Sequence, residues 1–163
     1  MWEGKNPDEI IGFEGASFGT VDEWKDAILT RGILIDVPLN RGEPYVTMNK
    51  PVHGWELEDI VAKLNLKIQP GDAIFLYSGL EKYAAENDGT WMKTAGRPGL
   101  HASCLQFIKK ADISVLGWDM MDAAPNEYDL PWSVQGAIFA YGVALIDNAL
   151  LEPLSVACRQ EGR

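Results

Sequence analysis

Residues 32–38 read GILIDVP, a short apolar run that ends in Asp36 and is stopped by Pro38. Its length and β-branched content predict a buried strand. Three more runs of this kind follow. QPGDAIFLYSG (69–79) is a turn fixed by Pro70, Gly71 and Asp72 and then a strand, and DISVLGWD (112–119) and VALIDN (143–148) are two more strands. Helix-like stretches separate them. WELEDIVAKLN (55–65) sets Leu57, Ile60, Val61 and Leu64 at helical spacing, LHASCLQFIKKA (100–111) reads as a helix, and WSVQGAIFAYG (132–142) is a helix with Pro131 just before it. Strands alternating with helices imply an α/β domain with at least partly parallel strands.

Working outward, TVDEWKDAIL (20–29) carries Thr20 and, three residues later, Glu23, the spacing of a capping box, and so predicts a helix. Residues 1–19 and 40–55 read as Gly- and Pro-punctuated loop with room for hidden strands. Residues 81–99 read as a polar loop with one short helix at its start, 120–131 as a loop, and 149–163 as a short helix and tail. No repeat, low-complexity tract or linker divides the chain, so the 163 residues are read as one domain.

Hydrophobic residues make up 47% and charged residues 23%, enough of the former for a packed core. The formal net charge of −10 argues against nucleic acid, whose phosphates need clustered Lys and Arg, and against an anionic membrane surface. No apolar run reaches the ~18 residues of a membrane span, and the first residues lack a signal-peptide core. The expectation is a cytoplasmic protein in which Cys104 and Cys158 are reduced, buried thiols.

The predicted strands end in Asp36, Ser78, Asp119 and Asp147. Ligands of open α/β sheets bind beyond the carboxyl ends of the strands, and three converging carboxylates suit a hard cation. Asp at a strand end also caps the following turn or helix, and that reading stands beside the first. Of the two histidines, His53 lies in a loop and reads as a surface residue. His101 opens a helix, where the positive end of the dipole favours a neutral imidazole, with Ser103 two residues on. No zinc spacing, no GxSxG elbow and no phosphate loop is present.

Four segments in order, from about Gly15 onward, carry a resemblance: ILTRGILIDVP (28–38), IQPGDAIFLYSG (68–79), GRPGLHASCLQFIKKADISVLGWDMMD (96–122) and GVALIDN (142–148). Together they resemble the cyclase family of metal-dependent amide and ester hydrolases, which includes bacterial kynurenine formamidases and isatin hydrolases. The resemblance implies a swivelling β/β/α-type fold, a mixed sheet packed with helices. It also implies hydrolysis at zinc or manganese, the metal generating hydroxide and polarising a carbonyl.

The family's metal segment, HxGTHxDxPxH, has no counterpart here, and Met1 aligns just after it, so the fold is expected to be incomplete at the N-terminus. Asp147 fits the family's late acidic ligand. The late histidine ligand falls near Val134 or Gln135, and Gln135 is a poor zinc ligand. The expectation is therefore a cyclase-like domain without the family metal, binding a small molecule or acting structurally as a homo-oligomer, with a dimer the simplest way to rebury apolar surface. The alternative is a metal-dependent hydrolase of small amides, esters or lactones with a rebuilt or partner-supplied site. The candidate pocket comprises Ser78, His101, Ser103, Asp119, Gln135 and Asp147.

Overall fold

The computed structural model describes residues 5–87, 96–128 and 133–162. It opens with α1 (Pro7–Ile10) and a hairpin of β1 (Ile11–Gly12) and β2 (Gly15–Ala16). The body then alternates: β3 (Gly32–Asp36), α2 (Val37–Arg41), α3 (Gly54–Lys63), β4 (Ala73–Tyr77), α4 (Leu80–Glu86), α5 (Cys104–Ala111), β5 (Val115–Trp118), α6 (Ser133–Tyr141), β6 (Ala144–Ile146) and α7 (Glu152–Glu161). The four predicted strands are β3 to β6, and they pair in sequence order, every pair parallel. The antiparallel pairing of named strands among the described residues is that of β1 with β2, in the stretch where a hidden strand was expected.

When successive crossovers step the same way across a sheet and share one hand, their helices fall on one face. Here α3 packs on α5 and α5 on α6. The register explains the core. Ile33, Ile74, Leu116 and Leu145 form one row across the sheet, and Ile35, Leu76 and Trp118 the next. These rows face the helices and join Leu57, Ile60, Phe107 and Ile108 in the main cluster. Intervening rows face the other way, where Ala73, Val115 and Ala144 form a smaller cluster with Trp24 and Phe75. Phe75 has Leu34 and Gly117 as its cross-strand partners, and its ring uses the space over the glycine: a Cβ on Gly117 would stand 2.4 Å from it.

Two local expectations are corrected. The helix expected over 20–29 is a single 3-10 turn, Val21–Trp24, and Thr20 caps nothing with its side chain. Glu23 reaches back to the N–H of Gly19 at 2.8 Å instead, and without an apolar stripe to bury the segment does not propagate. His101 precedes its helix rather than opening it, since α5 starts at Cys104 with Ser103 as N-cap. Residues 88–95 of the expected polar loop, and Pro131 ahead of α6, lie outside the described residues. No helix among the described residues is long and apolar enough to cross a membrane.

Candidate functional site

Three loop segments run side by side beyond the sheet. Val52 bridges Leu100 and Leu100 bridges Asp122, both in parallel sense. The ladder rests on Val52 N–H to Gly99 O (2.9 Å), His101 N–H to Val52 O (2.8 Å) and Leu100 N–H to Met121 O (2.9 Å). Gly99 permits it: its φ is +149°, and a Cβ there would fall 1.8 Å from Met121 O. His53 and His101 each follow a bridged residue, so parallel register makes them neighbours, with ring centroids 4.3 Å apart. Two aromatic rings flank the pair, Trp55 stacked on His53 at 5.7 Å and Tyr128 at 6.0 Å from His101.

The loop carrying His53 is clamped from beneath. Arg41, whose side chain is only 6% exposed, grips Glu56 with Nε and Nη2 at 2.6 Å each and donates to Lys50 O and Pro51 O. Gly54 brings the start of α3 against Ser103: its N–H donates to Ser103 Oγ at 3.0 Å, and a Cβ would meet Ser103 O at 2.3 Å.

Ser103 ties the two imidazoles together. Its Oγ lies 3.0 Å from His101 Nδ1 and 3.4 Å from His53 Nδ1. Its backbone N–H donates to His101 Nδ1 at 3.1 Å. A backbone N–H can only donate, so His101 Nδ1 is an acceptor and the neutral ring carries its proton on Nε2. That Nε2 is buried without a partner among the described residues. Burial, and then the nearby His53, hold the His101 imidazole below the ordinary histidine range, with Glu127 pulling the other way. The site thus presents a neutral imidazole with an unused N–H beside a serine hydroxyl and a second imidazole, a set that suits a ligand oxygen acceptor.

The family model for Cyclase matches residues 9–125, more than half of the chain. The chain belongs to the cyclase family. Among curated proteins, none matches the sequence. Of solved structures, a novel cyclase matches with a TM-score of 0.77 at 22% identity over 96% of this chain and 53% of that one. An isatin hydrolase bound to a product analogue, thioisatinate, matches with a TM-score of 0.57 at 13% identity over 74% of this chain and 47% of that one. The cyclase-family chain thus spans about half the length of the solved structures it matches, and the likeness establishes the shared fold.

The other candidate residues of this cyclase-family chain hold structure. Because all four strands run one way, Asp36, Ser78, Asp119 and Asp147 do share one end of the sheet. Asp36 caps α2 through Leu39 N–H (2.8 Å), and its other oxygen takes Ser155 Oγ (2.6 Å) and the Arg159 guanidinium (2.6 Å). Asp119, fully buried, accepts the backbone N–H groups of Ser78, Gly79, Leu80 and Met120 at 2.8–2.9 Å. Burial pushes its pKa up to about 6 against the pull of those four donors. Asp147 accepts the Trp118 indole N–H at 2.6 Å and Asn148 N–H at 3.0 Å. Gln135 gives its backbone N–H to Asp122 Oδ1 at 3.1 Å, in a cap that also takes Ser133 Oγ and Val134 N–H. Of the predicted set, His101 and Ser103 come together in one cluster, and Ser78 and Asp119 in another.

The family implies a divalent metal. Among the described residues no three His, Cys, Asp or Glu side chains gather to hold one. Both oxygens of Asp36 and of Asp119 are engaged as given above, on Asp147 one oxygen, Oδ1, takes both Trp118 and Asn148, and His101 Nδ1 is taken by Ser103. Among the described residues these side chains form no set that fits the group.

Two site residues escaped the sequence reading. His53 is half-buried against His101 rather than free on the surface. A signal existed: VHG and LHA both place histidine directly after an apolar residue and before a small one. Asp122, in the loop expected over 120–131, is fully buried, its Oδ2 has no partner among the described residues, and burial raises its pKa.

Proposed function

We propose that this cyclase-family domain does without the family metal and binds a small molecule at His53, His101 and Ser103. One observation carries the reading: the buried Nε2–H of His101 has no partner among the described residues, while Asp36, Asp119 and Oδ1 of Asp147 are engaged in caps, turns and the Trp118 indole. An unpaired buried donor costs roughly 1–3 kcal/mol, which a ligand oxygen recovers. A carboxylate or amide carbonyl has the required acceptor. Tyr128, 58% exposed and with its ring centroid 6.0 Å from that of His101, adds an aromatic surface beside the imidazole.

The second reading is a hydrolase of small amides, esters or lactones, kynurenine formamidase-like, with ligands supplied from a partner or from residues outside the described set. Likeness to an isatin hydrolase favours it. Elemental analysis and steady-state hydrolysis of isatin and N-formylkynurenine separate the two. The binding reading expects no stoichiometric zinc or manganese and no chelator-sensitive turnover. Titration of the purified chain with benzoate and benzamide, followed by NMR, should move the ring signals of His53 and His101, and His101→Ala should abolish the response at His53 while the protein stays folded. About one tightly held metal per chain, or turnover lost on chelation, replaces this reading with the hydrolase.

A further inference from the structure

Ser103 stands at the N-cap of α5, where a serine hydroxyl ordinarily accepts a backbone N–H of the first turn. Its side chain makes no such bond. The hydroxyl is turned toward the two histidines instead, with Oγ 3.0 Å from His101 Nδ1 and 3.4 Å from His53 Nδ1. Ser103 and His53 are half-buried rather than sealed, so a small molecule can reach them.

The neighbouring donors decide where the hydroxyl proton goes. Oγ itself accepts the Gly54 N–H at 3.0 Å. His101 Nδ1 has a single lone pair in the ring plane, and the Ser103 backbone N–H already points at it from 3.1 Å. The Ser103 proton is therefore directed to His53 Nδ1, which has no other hydrogen bond among the described residues. A separation of 3.4 Å is loose, and nucleophile–base pairs of this kind tighten when substrate binds. A hydroxyl beside an imidazole acceptor, with a backbone donor steadying charge on its oxygen, has the surroundings of an activated nucleophile. His101 completes the set: its ring is 7% exposed, and its unpartnered Nε2–H is a fixed donor for a carbonyl oxygen as that oxygen gains negative charge. Trp55 and Tyr128, both exposed, flank the two imidazoles and offer flat surfaces to an aromatic group.

We propose that Ser103 is a nucleophile that accepts the acyl group of small carboxylic esters with an aryl leaving group, His53 serving as its base and His101 Nε2–H holding the carbonyl oxygen. The Oγ lone pair adds to the carbonyl carbon while the Oγ proton passes to His53 Nδ1. The tetrahedral adduct then collapses, the bond from carbon to the aryl oxygen breaks, and the departing phenol takes the proton from His53. The acyl group remains on Ser103 as an ester. The step rests on the binding reading above, because it seats the carbonyl oxygen on the same Nε2–H, and it adds to that reading a covalent event at a residue of this chain.

The test is to incubate the purified chain with p-nitrophenyl acetate at pH 7.5 in the presence of EDTA and to map acetyl groups by peptide mass spectrometry. Ser103 should be acetylated at least about 100-fold faster than N-acetylserinamide in the same buffer, the lower end of what a positioned base supplies. A burst of about one p-nitrophenolate per chain should accompany it. His53→Gln should slow acetylation of Ser103 at least about 100-fold while background acetylation of surface lysines is unchanged. His53 makes no side-chain cap on α3, so unchanged melting of this variant is expected and is checked alongside. Acetyl groups on lysines alone, a Ser103 rate no greater than that of N-acetylserinamide, equal Ser103 rates in folded His53→Gln and wild type, or labelling that EDTA removes each overturns the proposal. The benzamide titration separates the two readings: if it still moves the His53 and His101 signals in a chain that does not acetylate Ser103, the binding site stands and the nucleophile falls, and if it moves neither, both fall.

Discussion

Gly54→Ala probes the junction on which the histidine pair depends. The new Cβ would lie 2.3 Å from Ser103 O, 2.9 Å from Ser103 C and 3.3 Å from Cys104 Cα. Ordinary contact begins near 3.4 Å, and all three atoms are backbone, so no rotamer change relieves the overlap. The starts of α3 and α5 must separate by about 1 Å, which costs roughly 1–3 kcal/mol by the usual penalty for overpacking. Better helix propensity of alanine returns at most about 1 kcal/mol. The net loss is roughly 0–3 kcal/mol, so at ~2–4 °C per kcal/mol for a chain of this size melting should fall by up to about 12 °C.

The same displacement stretches Gly54 N–H to Ser103 Oγ from 3.0 Å beyond hydrogen-bond range, so the imidazole signals of His53 and His101 should move in heteronuclear NMR. Gly136→Ala, in α6, is the control: a Cβ there meets nothing within 4 Å, and propensity alone should raise stability by about 0.5–1 kcal/mol. If Gly54→Ala melts with wild type and leaves both imidazoles unmoved, the close approach of α3 to α5 is wrong, and the site built on it falls.

Asp119→Ala removes the acceptor of four backbone N–H groups at once and should cost at least about 3 kcal/mol in denaturant unfolding, whereas a loss under 1 kcal/mol contradicts the buried arrangement. The lowered His101 pKa gives an acid-sensitive term: between the folded value and the unfolded one near 6.5, the unfolded chain binds the extra proton, so this stability is complete above pH 6.5 and is lost as pH falls through that window. Comparing melting at pH 7.5 and 5.0, His101→Asn should lose less than wild type, and equal losses would refute the assignment. Asp36→Ala unties α7 from β3 by deleting the contacts to Ser155 and Arg159, and hydrogen exchange over Glu152–Glu161 should accelerate at least ten-fold; unchanged protection there would mean that other contacts hold the helix. Trp118→Phe keeps the ring in the core but strips the donor from Asp147, costing about 1.5–3 kcal/mol as measured by denaturant midpoint.

Local chemistry sufficed for the sheet and its helices. GILID, AIFLY and VLGW are apolar, bounded by turn residues and too short for a helix, which favours buried strands. The cyclase-family signatures were legible for the same reason, since they lie on those strands and the turns that end them. The β1–β2 hairpin and the 3-10 turn were less legible, because residues 5–32 lack the apolar periodicity that marks an element bound to a core.

Only the tertiary structure decided what each polar residue does. Asp36, Asp119 and Asp147 look alike in sequence, each closing a predicted strand. Their roles came from partners 119, 41 and 29 positions away: Ser155 for the first, Ser78 for the second, Trp118 for the third. His53 and His101 met because Val52 and Leu100 pair across two loops in parallel register, and Gly54 and Gly99 leave room for the backbones to close. Hydrogen bonding is a short-range, directional force, so a side chain's role is set by whatever atom stands within about 3 Å of it. Spacing along the chain carries that information for a helix or a strand, where period fixes neighbours, and not for loops brought together by the packing of a distant core.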